Sequence, residues 1–353
     1  MDTKLTMHTP YKDVLEIIPE TTQPTSDGRH PLFKSISDYV KRANLLAGTH
    51  VVSLSGGVDS MVLCTILKHQ GVNLLAAHIN YHNRLEASRE QSYLEEWCKI
   101  MKIPLQVREI TEMSRATSDR ADYERQTSQI RFKFYRDCLD KTDPTGKILY
   151  GHHLDDVTEN VVTNFMRGRD VHDLVVMHEE TPKAGVVVSR PMLKHPKSDI
   201  YTYAHQNGVP YFKDTTPEWS NRYKIRNRLL PLLREMYGTT IDSRVVKNAQ
   251  KAEIWAKVIK DKVLSQLEQV CTSNTGSVRL NNLRLTLASI PEATVWNEFL
   301  IQKLNHLGYS RISHKAFSLL WEKLVLGRDQ RMQLSRNCLA EIVSDELILT
   351  LVK

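Results

Sequence analysis

The stretch SGGVDS at residues 55–60 combines residue types that suit binding of a phosphate group. The apolar run before it predicts a strand, and the apolar run after it predicts a helix. A loop between a strand and a helix directs backbone N–H groups and the positive end of the helix dipole at one place. The two glycines let the backbone turn sharply and approach a ligand, and the two serines add hydroxyl donors. The predicted phosphate site comprises Ser55, Gly56, Gly57, Val58, Asp59 and Ser60.

Asp59 predicts a metal ion at the same loop. A carboxylate repels phosphate, and a divalent cation such as Mg²⁺ that bridges it to phosphate oxygens removes the conflict. Two widespread nucleotide motifs, GxxxxGK[ST] and GxGxxG, are absent from the sequence. The loop is therefore neither a Walker loop nor a dinucleotide fingerprint. The alternative interpretation is a glycine turn that binds no ligand.

A second candidate site is HHLDDVTE at residues 152–159. His152 and His153 follow a predicted strand, and ligands of α/β proteins bind at the carboxyl ends of strands. Histidine there suits proton transfer, with metal ligation as the alternative. Asp156 and Glu159 are three residues apart and share one helix face. The alternative for this acid pair is a structural role that complements the helix dipole.

The segment NRYKIRNRLLPLLR at residues 221–234 is basic and contains no acidic residue. The whole chain carries a formal net charge of +7, and positive charge concentrated in one segment favours a polyanionic partner. The alternative is a helix face that contacts only solvent. The basic residues of the segment are Arg222, Lys224, Arg226, Arg228 and Arg234.

The order of predicted elements divides the chain into three parts. Residues 1–30 are expected to form a flexible N-terminal arm. From 31 to 240, strands alternate with helices, which predicts an α/β fold with a parallel, doubly wound sheet. Residues 241–353 predict a smaller domain of helices and antiparallel strands. There is no membrane-length apolar stretch or leader pattern, and the five cysteines are scattered, so we expect a cytoplasmic protein.

Several of these motifs resemble those of one enzyme family. SGGVDS resembles the pyrophosphate loop of the PP-loop ATP pyrophosphatases, whose fold is adenine nucleotide alpha hydrolase-like. YGHHLDDVTENVVTNFMRG (150–168), YERQTSQIRFKFY (123–135) and the segment from RPMLKHP to IRNRLLPLL resemble tRNA(Ile)-lysidine synthetases. The resemblance implies ATP-dependent adenylation of the wobble cytidine in the CAU anticodon of tRNA(Ile). L-lysine then attacks to give lysidine, and AMP and pyrophosphate are released.

The same resemblance implies roles for individual residues. ATP binds at residues 55–60 and His78, with Mg²⁺ on Asp59, and Arg131 stabilises phosphate charge. One of the two histidines, with His152 as the candidate over His153, is expected to accept a proton from the attacking amine, and the resemblance implies that Asp156 and Glu159 hold the amino group of free lysine. The tRNA contacts are Arg222, Lys224, Arg226 and Arg228, together with the C-terminal domain. Relatives also suggest a homodimer. The alternative for Arg131 is an ordinary surface arginine.

Three positions depart from the family pattern. Ser128 stands where the family usually has arginine. HINYHNR (78–84) replaces a motif like HVNHGLR while keeping His78, Asn80 and Arg84. Leu230 stands near a position where the family usually has another arginine.

Three rival functions remain. A tRNA thiolase is one, but the chain lacks the paired cysteines that many thiolases need. An amide ligase for small molecules needs no basic segment, and a non-catalytic tRNA-binding protein needs no intact SGGVDS.

Overall fold

The computed structural model describes residues 11, 14–16, 24–82, 86–111, 120–213, 216, 218–274, 276–306 and 312–351. Most of the predicted N-terminal arm and Arg84 lie outside these residues. The chain divides into two units, residues 1–250 and 251–353. The division falls inside the helix Ile241–Ile259, later than the boundary predicted at 240, because Asp242, Val246 and Ala249 are buried on the first-unit part of that helix.

The first unit is built on a six-stranded sheet. Its strands are β1 (Thr49–Ser53), β2 (Asn73–Asn80), β3 (Leu105–Glu109), β4 (Lys147–Leu149), β5 (Glu180–Lys183) and β6 (Val186–Ser189), in the order β3-β2-β1-β4-β6-β5. All neighbouring pairs are parallel except β5 with β6. This edge hairpin was not predicted, although Ala184 and Gly185 both have the positive φ of a tight hairpin turn.

Helices cover both faces of this sheet, which confirms the predicted doubly wound α/β fold. They are α1 (Pro31–Arg42), α2 (Val58–His69), α3 (Ala87–Met101), α4 (Arg120–Thr142), α5 (Leu154–Met166) and α6 (Lys197–Asn207). Successive strand residues point to opposite faces. Val52 and Leu74 thus join a core with α1, α2, α3 and α6, whereas Val51 and Leu75 pack with α4.

The basic segment forms a helix with a wide turn in its middle. It begins with α7 (Asn221–Lys224), continues through a π-helical turn at Ile225–Leu229 and ends with α8 (Leu230–Tyr237). Pro231 explains the wide turn, because it has no N–H for the usual bond and its ring crowds the carbonyl four residues earlier. A short 3-10 turn (Val171–Asp173) precedes β5, and α9 (Ile241–Ile259) follows Gly238.

The second unit pairs helices with an antiparallel sheet, as predicted. A π-helical turn (Lys260–Leu264) and α10 (Ser265–Gln269) precede β7 (Cys271–Ser273), β8 (Ser277–Leu280), α11 (Leu283–Ser289), α12 (Ala293–His306), α13 (His314–Leu326), β9 (Gln330–Ser335), β10 (Cys338–Val343) and β11 (Glu346–Leu351). The strand order is β7-β8-β11-β10-β9, and β7, β8 and α11 were not predicted. The core includes Trp296, Phe299 and Leu320. Among the described residues, no helix has the length and apolar character to cross a membrane.

Candidate active site

The predicted phosphate loop connects β1 to α2 and leaves the start of α2 open. Gly57 is the N-cap, and no side chain caps the helix, so the first N–H groups of α2 have no partner within the helix. Gly56 has a φ of 81°, and a Cβ there would lie 1.9 Å from the Phe212 ring. The Phe212 N–H also donates to the Gly56 carbonyl at 2.9 Å. Only glycine fits here, and Phe212 holds the loop in shape.

The two serines brace the loop. The Ser60 hydroxyl donates to the Gly57 carbonyl at 3.0 Å and accepts from the Ser55 N–H at 3.2 Å. The two hydroxyl oxygens are 3.1 Å apart. Because one hydroxyl proton makes one strong bond, the Ser60 proton is engaged inside the loop. His78 supports the loop as well: it is buried, and its Nδ1 is 2.9 Å from the Leu54 carbonyl oxygen.

Asp59 faces a cation supplied by the chain itself. The Lys197 Nζ lies 2.7 Å and 2.6 Å from the two carboxylate oxygens of Asp59. Within the described part of the chain, no group of three or more His, Cys, Asp or Glu side chains is arranged to hold a metal. Magnesium sites at nucleotides are completed by phosphate oxygens and need only one or two carboxylates. Asp59 therefore fits a metal shared with a nucleotide, provided that Lys197 yields one oxygen.

The turn that carries the two histidines touches the start of α2. A Cβ on Gly151 would lie 2.9 Å from the backbone carbon of Asp59, so the turn needs glycine to come this close. His153 is 1% exposed, and its Nε2 is 3.6 Å from an Asp59 oxygen and 3.3 Å from an Asp156 oxygen. The Asp156 carboxylate in turn accepts from the His153 backbone N–H at 3.2 Å. The loop and the histidine turn therefore form one site.

His152 is held by a residue that sequence reasoning missed. The Nε of Arg190 donates to the His152 Nδ1 at 3.1 Å. Because arginine can only donate, the Nδ1 carries the lone pair and the neutral ring carries its proton on Nε2. Burial lowers the pKa of His152 to about 4. His152 is thus a neutral hydrogen-bond donor at neutral pH, and this arrangement disfavours the predicted role as the base.

The acid pair binds two arginines of the basic segment. Arg226 NH2 lies 2.9 Å from Asp156 and 3.1 Å from Glu159. Arg222 lies 3.2 Å from each of the same carboxylates. Both acids are buried, and although burial tends to raise the pKa of Asp156, the neighbouring imidazole and guanidinium groups lower it overall. The predicted amine site and part of the predicted tRNA site therefore meet.

The other two predicted tRNA contacts lie apart from the acids. Lys224 and Arg228 are exposed in the first unit, and neither forms an ion pair with another described residue. Arg234 instead bridges Asp155 at 2.7 Å and Asp242 at 2.8 Å. Among the described residues, the basic segment thus contains two exposed cations without an ion pair, two that pair with the acid pair, and one that ties α8 to α5 and α9.

Arg131 lies on the other side of the histidine turn among tyrosines. It interacts with the phenol oxygens of Tyr81, Tyr135 and Tyr150, and Tyr150 contacts the His152 ring with centroids 5.1 Å apart. No described carboxylate forms an ion pair with Arg131, and the Nε is buried without a partner. The nearby Arg190 is 6% exposed, and its hydrogen bonds to described residues go to His152, a carbonyl and a hydroxyl.

The half-buried Arg131 and the buried Arg190 form a positive region without a described counter-charge. Lys183 is exposed at the edge of this region, and partial desolvation and the charges of Arg131 and Arg190 lower the pKa of its ammonium group. Burying unpaired charge is costly, so the region suits an anion. Sequence reasoning named Arg131 but gave no role to Arg190, Lys183 and Lys197. Arg190 and Lys197 lie in the segment that begins RPMLKHP, but no spacing rule connects them to His152 or to the phosphate loop.

A cavity of about 720 Å³ opens beside the acid-lined part of the site. The residues that line it include His153, Lys197, Tyr201, Arg226 and Arg234, all within the first unit. Charged groups of both signs converge on an apolar wall, as in small-molecule sites. The cavity is large enough for an amino acid beside the phosphate loop.

Comparisons with known proteins agree with this geometry. Residues 33–233 match the family model of the PP-loop domain. The chain is 27% identical over 230 residues to a tRNA(Ile)-lysidine synthase of Enterococcus faecalis, covering 63% of the chain and 48% of that protein. It is 29% identical over 252 residues to a tRNA(Ile)-lysidine synthase of Chlamydia felis, covering 71% and 76%.

A solved structure shares the fold. It is the U34-tRNA thiolase NcsA from Methanococcus maripaludis with its [4Fe-4S] cluster, with a TM-score of 0.51 and 19% identity. The match covers 62% of this chain and 77% of that one. The chain spans about half the length of the Enterococcus relative and three quarters of the Chlamydia relative.

Proposed function

Because the chain belongs to the PP-loop family, we propose that it is an ATP-dependent ligase that converts the wobble cytidine of tRNA(Ile) to lysidine. The observation that carries this proposal is the acid pair, Asp156 and Glu159, because Asp156 contacts His153, which in turn contacts Asp59 of the phosphate loop. A buried acid pair beside a phosphate loop suits a substrate with an amino group, and free lysine is such a substrate. The similarity to lysidine synthases of Enterococcus faecalis and Chlamydia felis supports the same reaction.

The proposed reaction has two steps. In the first, the carbonyl oxygen of the cytosine ring attacks the α-phosphorus of ATP, and pyrophosphate leaves from the loop at residues 55–60. Mg²⁺ on Asp59 would neutralise phosphate charge during this step. In the second, an amine of lysine attacks the activated ring carbon, AMP leaves, and the amine loses its extra proton.

The residues present suit these steps. The guanidinium groups of Arg131 and Arg190 supply fixed positive charge where the phosphate of the adenylate would lie, and such preorganised charge is a large contribution to catalysis. The Nε2–H of His152 is a donor to the same phosphate. With His152 neutral and hydrogen-bonded by Arg190, we assign proton removal from the amine to the buried carboxylates or solvent. Lys224 and Arg228 contact the tRNA backbone, and the CAU anticodon enters the first unit. A tRNA substrate also favours a cytoplasmic enzyme.

A thiolase function has less support. The NcsA structure carries a [4Fe-4S] cluster, and such clusters are held by cysteine thiolates. The cysteines of this chain are all free, and four of the five are buried. No described set of three or more ligating side chains is close enough to hold a metal.

Nucleoside analysis tests the proposed function. Unmodified tRNA(Ile) with a CAU anticodon is incubated with enzyme, ATP, Mg²⁺ and lysine, and its nucleosides are examined by mass spectrometry. We expect lysidine together with equimolar AMP and pyrophosphate, and no product with Asp59→Asn. Pyrophosphate release without any change in the nucleosides, or incorporation of sulfur from a sulfide donor, would overturn this assignment.

A further inference from the structure

Three contacts hold Lys197 in place, one to its backbone and two to its side chain. It is the first residue of α6, after the N-cap Pro196. Its backbone N–H donates to the Asp155 carboxylate at 2.9 Å, and its ammonium group lies 5.4 Å from the centre of the Tyr201 ring. The end of the side chain bridges both oxygens of Asp59, and the side chain is 21% exposed. The base of this lysine is fixed while its charged end faces the phosphate loop.

The phosphate loop lacks a cation of its own. SGGVDS contains no lysine or arginine, and the Ser60 hydroxyl proton is used within the loop. Asp59 adds negative charge at the point where a triphosphate would approach. A P-loop meets the same demand with a lysine inside the motif. Here the structure brings a lysine to the loop from 138 residues later in the chain.

We propose that Lys197 is a polyphosphate-binding residue, an inference that rests on the ATP use proposed above. In the ligand-free chain its ammonium group neutralises Asp59. When a nucleotide arrives with a divalent cation, Asp59 binds the cation and the ammonium group moves to an oxygen of the β–γ pyrophosphate. Lysine suits this exchange because it is a compact point charge on a flexible stem, whereas arginine prefers a fixed two-pronged pair with the carboxylate.

A purely structural role for Lys197 predicts the opposite change in ATP affinity when the lysine is removed. If Lys197 only occupies Asp59, it competes with the metal-bound nucleotide, and removing the lysine strengthens binding of ATP. If Lys197 binds the polyphosphate, removing it weakens binding of ATP and of pyrophosphate. AMP lacks the β and γ phosphates, so its binding distinguishes a local effect on pyrophosphate from general damage to the site.

The test compares Lys197→Met with Lys194→Met, a control three residues earlier whose side chain is 73% exposed and pairs with Glu179. Binding of ATP, pyrophosphate and AMP is measured by calorimetry with Mg²⁺ on the full chain. We expect Lys197→Met to weaken ATP and pyrophosphate by roughly tenfold or more, as for loss of a charged hydrogen bond, and to leave AMP unchanged. Lys194→Met should bind all three like the wild type.

A second variant at the same position keeps the test valid if Lys197→Met does not fold. Lys197→Gln keeps a donor to Asp59 without the charge, and we expect the same selective loss. Each variant is compared by the rise in its own melting temperature with pyrophosphate, which removes any general change in stability. Unchanged or tighter ATP binding, or equal losses for ATP and AMP, would overturn the role of Lys197. If the wild type binds ATP but forms no lysidine, the proposed function fails while the polyphosphate role stands.

Discussion

At the scale of single residues, the site depends on close approaches that allow few substitutes. Gly56 lies against the Phe212 ring, Gly151 lies against Asp59, and His152 accepts from Arg190. Each approach joins parts of the chain that are far apart in sequence. The residues at these points therefore determine the shape of the phosphate loop and the protonation state of His152.

Substitution of Gly56 tests the fit of the loop. Gly56 and Gly71 both have left-handed backbone, with φ of 81° and 79°, but a Cβ on Gly71 meets nothing within 4 Å. Gly71→Ala should therefore cost only the backbone strain, about 1 kcal/mol. Gly56→Ala should cost a few kcal/mol more, because the ring of Phe212 must move, and ATP binding should be lost. Urea denaturation of both variants measures the difference, and equal losses would contradict the clash.

The free energy of unfolding between about pH 4 and 6.5 tests the protonation state of His152 in the folded protein. The folded-state pKa is about 4, below the usual value of about 6.5 for an unfolded chain. Between these values the unfolded state binds a proton that the folded state does not, so His152 lowers stability as pH falls through this window. Each pKa unit corresponds to about 1.4 kcal/mol.

His152→Gln should flatten this pH dependence, measured by urea denaturation at several pH values. Burial also lowers the pKa of His50 and His195, so part of the dependence should remain in the variant. An identical slope in wild type and variant would mean that His152 is already protonated in the fold.

At the scale of elements, the basic segment and α5 form a single charged assembly. Helix α5 presents Asp156 and Glu159 on one face, and the wide turn before Pro231 carries Arg226, which contacts both acids. A guanidinium group there occupies the place proposed for the amino group of lysine. Binding of the amine and release of the arginines are therefore coupled.

Arg226→Ala tests this competition, with the exposed Arg228→Ala as its control. We expect Arg226→Ala to lower the melting temperature, because the buried carboxylates lose a partner, and to bind lysine several-fold more tightly. Arg228→Ala should change neither property. Calorimetry with lysine measures the affinities. Weaker lysine binding in Arg226→Ala would make the arginine part of the lysine site, and unchanged binding would place the amine elsewhere.

At the scale of the whole molecule, the net charge is +7, but the basic side chains do not all contribute equally to the field outside the protein. Arg222, Arg226 and Arg234 are paired with acids, whereas Lys224 and Arg228 extend into solvent. The paired acids lower the positive charge that a polyanion meets at Arg222, Arg226 and Arg234. The exposed Lys224 and Arg228 should therefore contribute most of the salt-sensitive attraction of this segment.

The double variant Lys224→Ala, Arg228→Ala tests that attribution by filter binding of tRNA at several salt concentrations. Each lost phosphate contact should lower the log–log salt slope by about 0.7 to 0.9, and all tRNAs should weaken alike because such contacts position without specifying sequence. ATP affinity should not change. An unchanged slope would leave this face in contact with solvent only.

The sequence by itself determined the parts of this protein whose signals are local. Periodicity revealed the alternating strands and helices, the glycine loop marked the phosphate site, and the three-residue spacing placed Asp156 and Glu159 on one face. Motif resemblance indicated the family. These features depend on neighbours within one or two turns, so a one-dimensional pattern contains them. The β5–β6 hairpin escaped because short edge strands carry little periodicity.

Only the tertiary structure decided which distant groups meet. Lys197 reaches Asp59, Arg190 fixes the proton of His152, and Arg226 fills the acid pair. Each pairing joins residues that the fold brings together from distant parts of the chain, and no spacing in the sequence encodes it. The same pairings set the ionisation of the site, since burial and counter-charges shift a pKa only once the fold has placed them.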